Sequence, residues 1–267
     1  MSRIIMLGTG DAMVTRCYNT CFVLEAGDGR LLVDAGGGNG ILTQLEKVGI
    51  SISSIQDMFV SHAHTDHLLG TIWVLRRVIG AMRKGKYTGE FRVYSHDKVL
   101  EVIRYICRNT LNATDWAYID KGIHWCELQD GEAFNVGGMR LKCFDMHSVK
   151  EKQFGFRAIL PDGQKLVCLG DESYNAHVRP YAEKADWLMH EAFCLYAERE
   201  KYKPYEKSHS TPLDAGRHAA ELGVKNLILY HTKDHALDRR KQTYTEEAAL
   251  YFKGRIFVPD DLEIIDL

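Results

Sequence analysis

The stretch FVSHAHTDHLLG, residues 59 to 70, places His62, His64, Asp66 and His67 within six positions. It follows the apolar run Met58-Phe59-Val60 and leads into Leu68, Leu69, Ile72, Trp73, Leu75 and Ile79, which recur at helical spacing. The cluster therefore lies at a bend between a strand and a helix. Histidines two apart at such a bend, followed by Asp-His, aim imidazoles and a carboxylate at one concave point. Imidazole suits zinc, and a carboxylate holds a second ion or shares one. A catalytic zinc takes three protein ligands and keeps a position for water, so this cluster predicts two ions and further ligands elsewhere.

Working outward, three residues open the loop after an apolar strand: His147 after LKCFDM, Asp171 after LVCLG, and His231 after NLILY. Polar donors at the ends of successive strands converge on one rim of a sheet, where α/β ligands bind. The segments LLV (31–33), LVCL (166–169) and LILY (227–230) are apolar on both faces, which implies burial on both sides. Two facing sheets covered by helices satisfy that pattern, and by periodicity alone so does a doubly wound sheet. Thr211-Pro212 opens a helix that ends before Gly223, and Glu246–Phe252 reads as the last helix. No repeat, low-complexity linker or composition shift divides the chain, so residues 1–267 read as a single domain.

Basic and acidic side chains number 34 and 36 in 267 residues, a formal net charge of −2. That balance gives no global pull toward nucleic acid or membrane, so a polyanionic substrate has to be recognised locally. No apolar run reaches the ~18 residues of a membrane span, and the start goes straight into strand-like sequence without a signal peptide. The seven cysteines are an odd number set mostly in apolar patterns, which reads as reduced core thiols of a cytoplasmic protein.

With His147, Asp171 and His231, the motif SHAHTDHLLG resembles the metallo-β-lactamase superfamily. GTGDA (8–12) and LLVDAG (31–36) look like that family's first strands and Asp-containing turn. The resemblance implies an α/β fold, the four-layer αββα sandwich of the metallo-β-lactamase type. It assigns one metal to His62, His64 and His147, the other to Asp66, His67 and His231, and makes Asp171 a bridge. Asp34 takes the family's supporting position, hydrogen-bonded to a ligand. The implied cofactors are two divalent ions, Zn2+ with Mn2+ or Fe2+ as alternatives, about 3.5–4 Å apart around a hydroxide that attacks in line. Asp66 would orient that water or take its proton.

MHEAF (189–193), KSHST (207–211) and FGFR (154–157) resemble motifs of ribonuclease Z, the tRNA 3′-end endonuclease. The resemblance implies that Glu191 and His209 donate the proton to the leaving oxygen, the carboxylate raising the imidazole pKa. There are departures. Asp171 comes only 24 positions after His147, across a hairpin at Asp162-Gly163, in an interval where the usual ribonucleases Z insert a protruding arm that grips tRNA. GGGNG (36–40) stands for a GEGTQ-like stretch, and Val14-Thr15 for a Pro-Thr pair. The expectation is a phosphodiesterase acting on RNA or a small phosphodiester, with Arg157, Lys233 and Arg239 contacting phosphate. Hydrolysis of another ester, thioester or lactone, or a metal-bound sensor without catalysis, is the alternative. The resemblance implies a homodimer, and the lack of an apolar span implies no membrane association.

Overall fold

Alternation along the first strand sets the layering. In β1 (Ser2–Gly8), Ile4 and Met6 pack into one apolar cluster and Ile5 and Leu7 into another, as period-two side chains must when both faces of a sheet are covered. The structure, a computed structural model, describes residues 2–267. The strands that follow are β2 (Cys21–Ala26), β3 (Gly29–Val33), β4 (Asp57–Phe59), β5 (Phe91–Ser95), β6 (Ile123–Glu127) and β7 (Ala133–Val136). They continue with β8 (Met139–Asp145), β9 (Phe154–Ile159), β10 (Lys165–Cys168), β11 (Trp187–Glu191), β12 (Asn226–Tyr230), β13 (Arg255–Phe257) and β14 (Ile264–Asp266). They form two seven-stranded sheets, ordered β14-β1-β2-β3-β4-β5-β6 and β13-β12-β11-β10-β9-β8-β7.

The sheets face each other across a core that includes Phe22, Val33, Phe59, Phe154, Phe156, Trp187 and Tyr230. On the outer face of the first sheet lie α1 (Gly40–Lys47), α2 (Thr65–Arg83), α3 (Asp97–Thr110) and α4 (Ala113–Gly122). Two single-turn helices follow, α5 (Arg179–Ala182) and α6 (Arg199–Tyr202). Then α7 (Pro212–Leu222) and α8 (Leu237–Ala248) cover the second sheet. This is the αββα sandwich, and it decides between the two architectures that periodicity left open.

Strands β3 to β6 run parallel, and so do β10 to β13. Their carboxyl ends bring Asp34, the segment His62–His67, Asp171 and His231 to one rim. Helix α7 begins as its sequence demands: Thr211 accepts from the Asp214 amide, Asp214 accepts from the Thr211 amide, and Gly223 ends the helix at φ 64°. The last helix is a correction. It runs over Leu237–Ala248 in place of Glu246–Phe252, with Arg240, Tyr244 and Ala248 buried at i, i+4 and i+8. A charge hides that stripe. Arg240 donates to Thr9, Thr232, the Pro259 carbonyl and Asp260, so an apparent surface cation is a buried tie.

Candidate metal centre

All but one of the functional side chains leave the end of a strand, the exception being His209 in the loop before α7. Asp34 follows β3, the segment His62–His67 follows β4 and enters α2, Asp171 follows β10, Glu191 ends β11, and His231 follows β12. Asp34 and His231 take left-handed backbone (φ 54° and 57°), which turns the chain sharply at the rim and costs each on the order of 1 kcal/mol or more. Such strain is kept where the fold over-determines the position. Here a buried network does so. Asp34 accepts from the Ser61 amide (2.7 Å), from the Ser61 hydroxyl (2.8 Å) and from Nδ1 of His67 (2.7 Å). Ser61 Oγ stands 2.9 Å from His62 Nδ1 and, having given its own proton to Asp34, accepts there. Both imidazoles are thus oriented through Nδ1, and each turns Nε2 to the rim.

Three groups of ligand atoms result. His62, His64 and Asp171 form one, Asp66, His67 and His231 a second, and Asp171, His209 and His231 a third that overlaps them, with all ligand atoms of a group within 4.8 Å of one another. Asp171 reaches the first two, with Oδ1 3.7 Å from His62 Nε2 and Oδ2 3.9 Å from His67 Nε2 and 3.7 Å from His231 Nε2. Asp66 Oδ2 lies 3.4 Å from His67 Nε2 and 3.6 Å from His231 Nε2. Two ligand atoms about 2.1 Å from one zinc at a tetrahedral angle stand roughly 3.4 Å apart, so these spacings suit a shared ion.

The polar atoms agree. His62 Nε2, His67 Nε2, Asp171 Oδ1 and both ring nitrogens of His231 are buried without a hydrogen-bond partner among the described residues. Buried polar atoms are normally paired, and here the orphans all belong to donors suited to a divalent cation. Burial opposes ionisation of Asp66 and Asp171, yet the neighbouring histidines outweigh it, joined at Asp171 by Lys150, and hold both carboxyls below the usual carboxylate range. Burial, helped by the neighbouring His67 and His64, drives the His62 imidazole well down against the pull of Asp171 and Asp66. It opposes the proton of His67 too, but Asp66 and Asp34 prevail and lift that imidazole well above its ordinary value. A site this negative calls for positive charge.

Glu191 and His209 lie beside this centre. Glu191 is fully buried, accepts from the Ser210 amide through Oε1, and turns Oε2 to within 3.5 Å of His209 Nδ1. His209 is stacked flat on Phe193 (ring centres 4.5 Å apart, 4° between planes), and its ring centre is 5.4 Å from that of His231. Burial pushes Glu191 up to about 8 and pulls His209 down to about 4. This corrects the expectation of a carboxylate that raises its imidazole partner. Between those values the pair still carries one proton, but on Glu191. Low-dielectric surroundings disfavour an ion pair unless its geometry is excellent, and 3.5 Å is too long for that.

The remaining site candidates are spread out. His147 is exposed, with φ 51°, and its ring packs on His177 at 4.6 Å; it belongs to none of the three ligand groups. Lys233 stands at the rim, 4.2 Å from the centre of the Phe193 ring and 3.1 Å from Asp11. Arg157 alternates with Phe156 and Ala158 of the inter-sheet core and so lies on the outer face of the second sheet, away from the rim. Arg239 is exposed on α8. Sequence reasoning missed two residues. Ser61 carries no signal beyond its place beside His62. Lys150 lies three residues after His147 in a loop, yet its Nζ donates to the Asp171 carbonyl (3.2 Å) and stands 3.4 Å from Glu172. The 23 residues between His147 and Asp171 hold β9, β10 and the turn joining them.

Comparison with known proteins finds relatives of this chain and of its fold. Residues 2–253 match the family described as anti-Pycsar protein Apyc1. The ribonuclease Z of Archaeoglobus fulgidus is 27% identical over 312 aligned positions, covering 98% of this chain and 97% of that protein. Among solved structures, the metallo-β-lactamase fold protein YhfI from Bacillus subtilis superposes with a TM-score of 0.80 at 20% identity, covering 99% and 98% of the two chains. The short form of human tRNase Z gives 0.75 at 21% identity, with 99% and 98% coverage.

Proposed function

The chain belongs to the anti-Pycsar protein Apyc1 family and is a ribonuclease Z-like, metal-dependent hydrolase of the metallo-β-lactamase superfamily; from that premise we propose that it hydrolyses phosphodiesters with two divalent ions. The observation carrying the proposal is that Asp171 stands between two ligand groups, its Oδ1 3.7 Å from His62 Nε2 and its Oδ2 3.9 Å and 3.7 Å from Nε2 of His67 and His231. His62, His64 and Asp171 would hold one ion, and Asp66, His67, His231 and Asp171 the other. Ions bound there lower the pKa of water toward neutrality and neutralise charge that builds on phosphoryl oxygens. Zinc suits the mixed imidazole and carboxylate set, with manganese and iron the competitors.

The chain's own residues do the rest. Asp66, kept ionised, accepts a hydrogen bond from the attacking water and orients it. The Glu191–His209 pair supplies the proton that the leaving oxygen needs: His209 passes it on through its ring while Glu191 releases its own to Nδ1. Lys233 lies close enough to the rim to meet a phosphate oxygen. His147, exposed on its loop, is the seventh ligand of the proposal, and metal titration of His147→Ala decides its part.

Small or flexible phosphodiesters are the proposed substrates. A tRNA precursor has a large body whose remote contacts would contribute binding energy to the reaction, and the short hairpin of β9 and β10 offers no long arm to hold it. Seven free cysteines fit a reducing compartment, and the ribonuclease Z relationship favours a homodimer in the cytoplasm. Among the described residues no helix is long and apolar enough to cross a membrane. The test compares turnover of bis-(p-nitrophenyl) phosphate with that of thioesters and lactones under added zinc or manganese. It then compares kcat/KM on a precursor tRNA, a short single-stranded RNA and a cyclic nucleotide. Preference for thioester or lactone would sink the phosphodiester reading, and strong preference for the intact precursor would sink the substrate reading.

A further inference from the structure

Helix α2 leaves the metal rim and carries two different faces. Val74, Leu75, Val78 and Ile79 fill the outer core, while Trp73, Arg76, Arg77, Gly80 and Lys84, spaced three and four residues apart, share the opposite side. With the segment Ser51–Ser53 they line a hollow of about 450 Å³, in the size range of small-ligand sites. Arg76 lies ten residues beyond Asp66, which at the rise of an α-helix is about 15 Å from the metal rim. The hollow is a separate place.

Its charge is lopsided. Arg76, Arg77, Lys84 and Lys86 all line it, no acidic residue does, and among the described residues none of the four has a carboxylate within 4.0 Å. Their neighbour Arg83 shows the usual arrangement, paired with Asp115 at 2.7 Å. In a chain of net charge −2, four unpaired cations around one concavity repel one another and focus a positive field that an anion relieves. Trp73, with 39% of its surface exposed, adds an aromatic face beside them, and the Arg76 guanidinium is 6.0 Å from its ring centre. A side chain added at Gly80 would meet nothing within 4 Å, so the space above the helix is open.

We propose that this hollow binds a phosphorylated nucleotide unit, its base stacked on Trp73 and its phosphates among Arg76, Arg77 and Lys84. Aromatic stacking beside a positively charged groove is the chemistry that holds nucleotides without reading their sequence. The unit is either a free nucleotide or one residue of an RNA strand running along α2 toward the rim. The assignment does not depend on which bond the metal centre breaks.

The test measures binding of two fluorescent probes, N-methylanthraniloyl ATP and a fluorescein-labelled uridine decamer, in EDTA so that cleavage is silent. Arg76→Glu/Arg77→Glu should weaken binding at least tenfold or so, and Trp73→Ala about as much, because each removes one half of a stacking-and-charge site. Arg140→Glu, exposed on β8, should leave binding unchanged. Circular dichroism and turnover of bis-(p-nitrophenyl) phosphate, a substrate too small to span both places, should match the wild type in every variant. ATP binding alone assigns a free nucleotide, and decamer binding alone assigns an RNA strand. The proposal is overturned if the wild type binds neither probe or if the double variant binds both as well as Arg140→Glu does. It is also overturned if the double variant only dissolves a dimer seen by sedimentation. Absent phosphodiester turnover in the wild type would remove the proposed reaction and leave this binding result standing.

Discussion

The two sheets contribute to the rim in different ways. From the first, His62 and His67 arrive already tied, each Nδ1 held by Ser61 or Asp34, so only Nε2 remains to act. From the second, His231 has neither ring nitrogen paired, His209 has Nδ1 3.5 Å from its nearest carboxylate, and His147 sits on an exposed loop. One wall of the centre is therefore set before a cation binds, while the other takes its final contacts from the cation and substrate. Preorganisation of this kind on one side alone puts the ligand geometry under the control of the first sheet.

The largest effect is expected at Asp66, which belongs to the tied wall but reaches His231 of the loose one. Asp66→Ala should lower kcat/KM on bis-(p-nitrophenyl) phosphate by on the order of a thousandfold, and elemental analysis should show one ion lost per chain. Retention of both ions and of most activity would show that the walls do not meet at this carboxylate. Next comes the loose wall. His209→Ala should slow esters with poor leaving groups by about a hundredfold and p-nitrophenyl esters far less, since p-nitrophenolate departs without a proton. Equal losses on both would reassign His209 to binding.

Asp34→Ala tests whether orientation alone matters, because Asp34 contacts His67 and Ser61 and lies behind the ligands. Zinc affinity and activity should fall roughly ten- to a hundredfold while the fold persists. An unchanged zinc affinity would mean that packing, and not the Asp34 hydrogen bonds, holds the tied wall. The smallest effect is on stability. Glu191 titrates near 8 in the folded protein, far above its value of about 4.3 in an unfolded chain, so between those values the folded state binds the extra proton. Its contribution is therefore fully present below about pH 4.3 and lost as pH rises toward 8. The urea midpoint of the chelated protein should show this decline, and Glu191→Gln should flatten it. A decline of the same size in the variant would assign it to other groups.

Much of this was legible in the sequence because burial and metal chemistry both leave local marks. LLV and LILY show a strand covered on both faces, and FVSHAHTDHLLG shows a strand end, a ligand set and a helix start in one line. Thr211-Pro212 and Gly223 delimit α7 because caps act within a few residues. What was hidden depends on distance in space. Ser61 is an unremarked serine until Asp34 is seen 2.8 Å away. The proton of Glu191 belongs to a buried site, and no local pattern around MHEAF reports how dry that site is. Arg157 could have been placed by parity, since Phe154, Phe156 and Ala158 mark the inward positions of β9. Helix α8 escaped because its buried stripe contains an arginine.

That arginine also fixes how the two sheets are held. Thr9, at the end of the first sheet's β1, and Thr232, just past His231 on the second, both accept from Arg240, and their backbones are bonded directly: Thr232 N–H donates to the Thr9 carbonyl, and Asp11 N–H to that of Thr232. The sandwich is therefore stitched at the seam immediately behind the catalytic rim, like a book clasped at the edge where it is read. Slackening of that clasp would part His231 from His67 while both sheets remained folded, so heat should extinguish metal binding before it melts the strands.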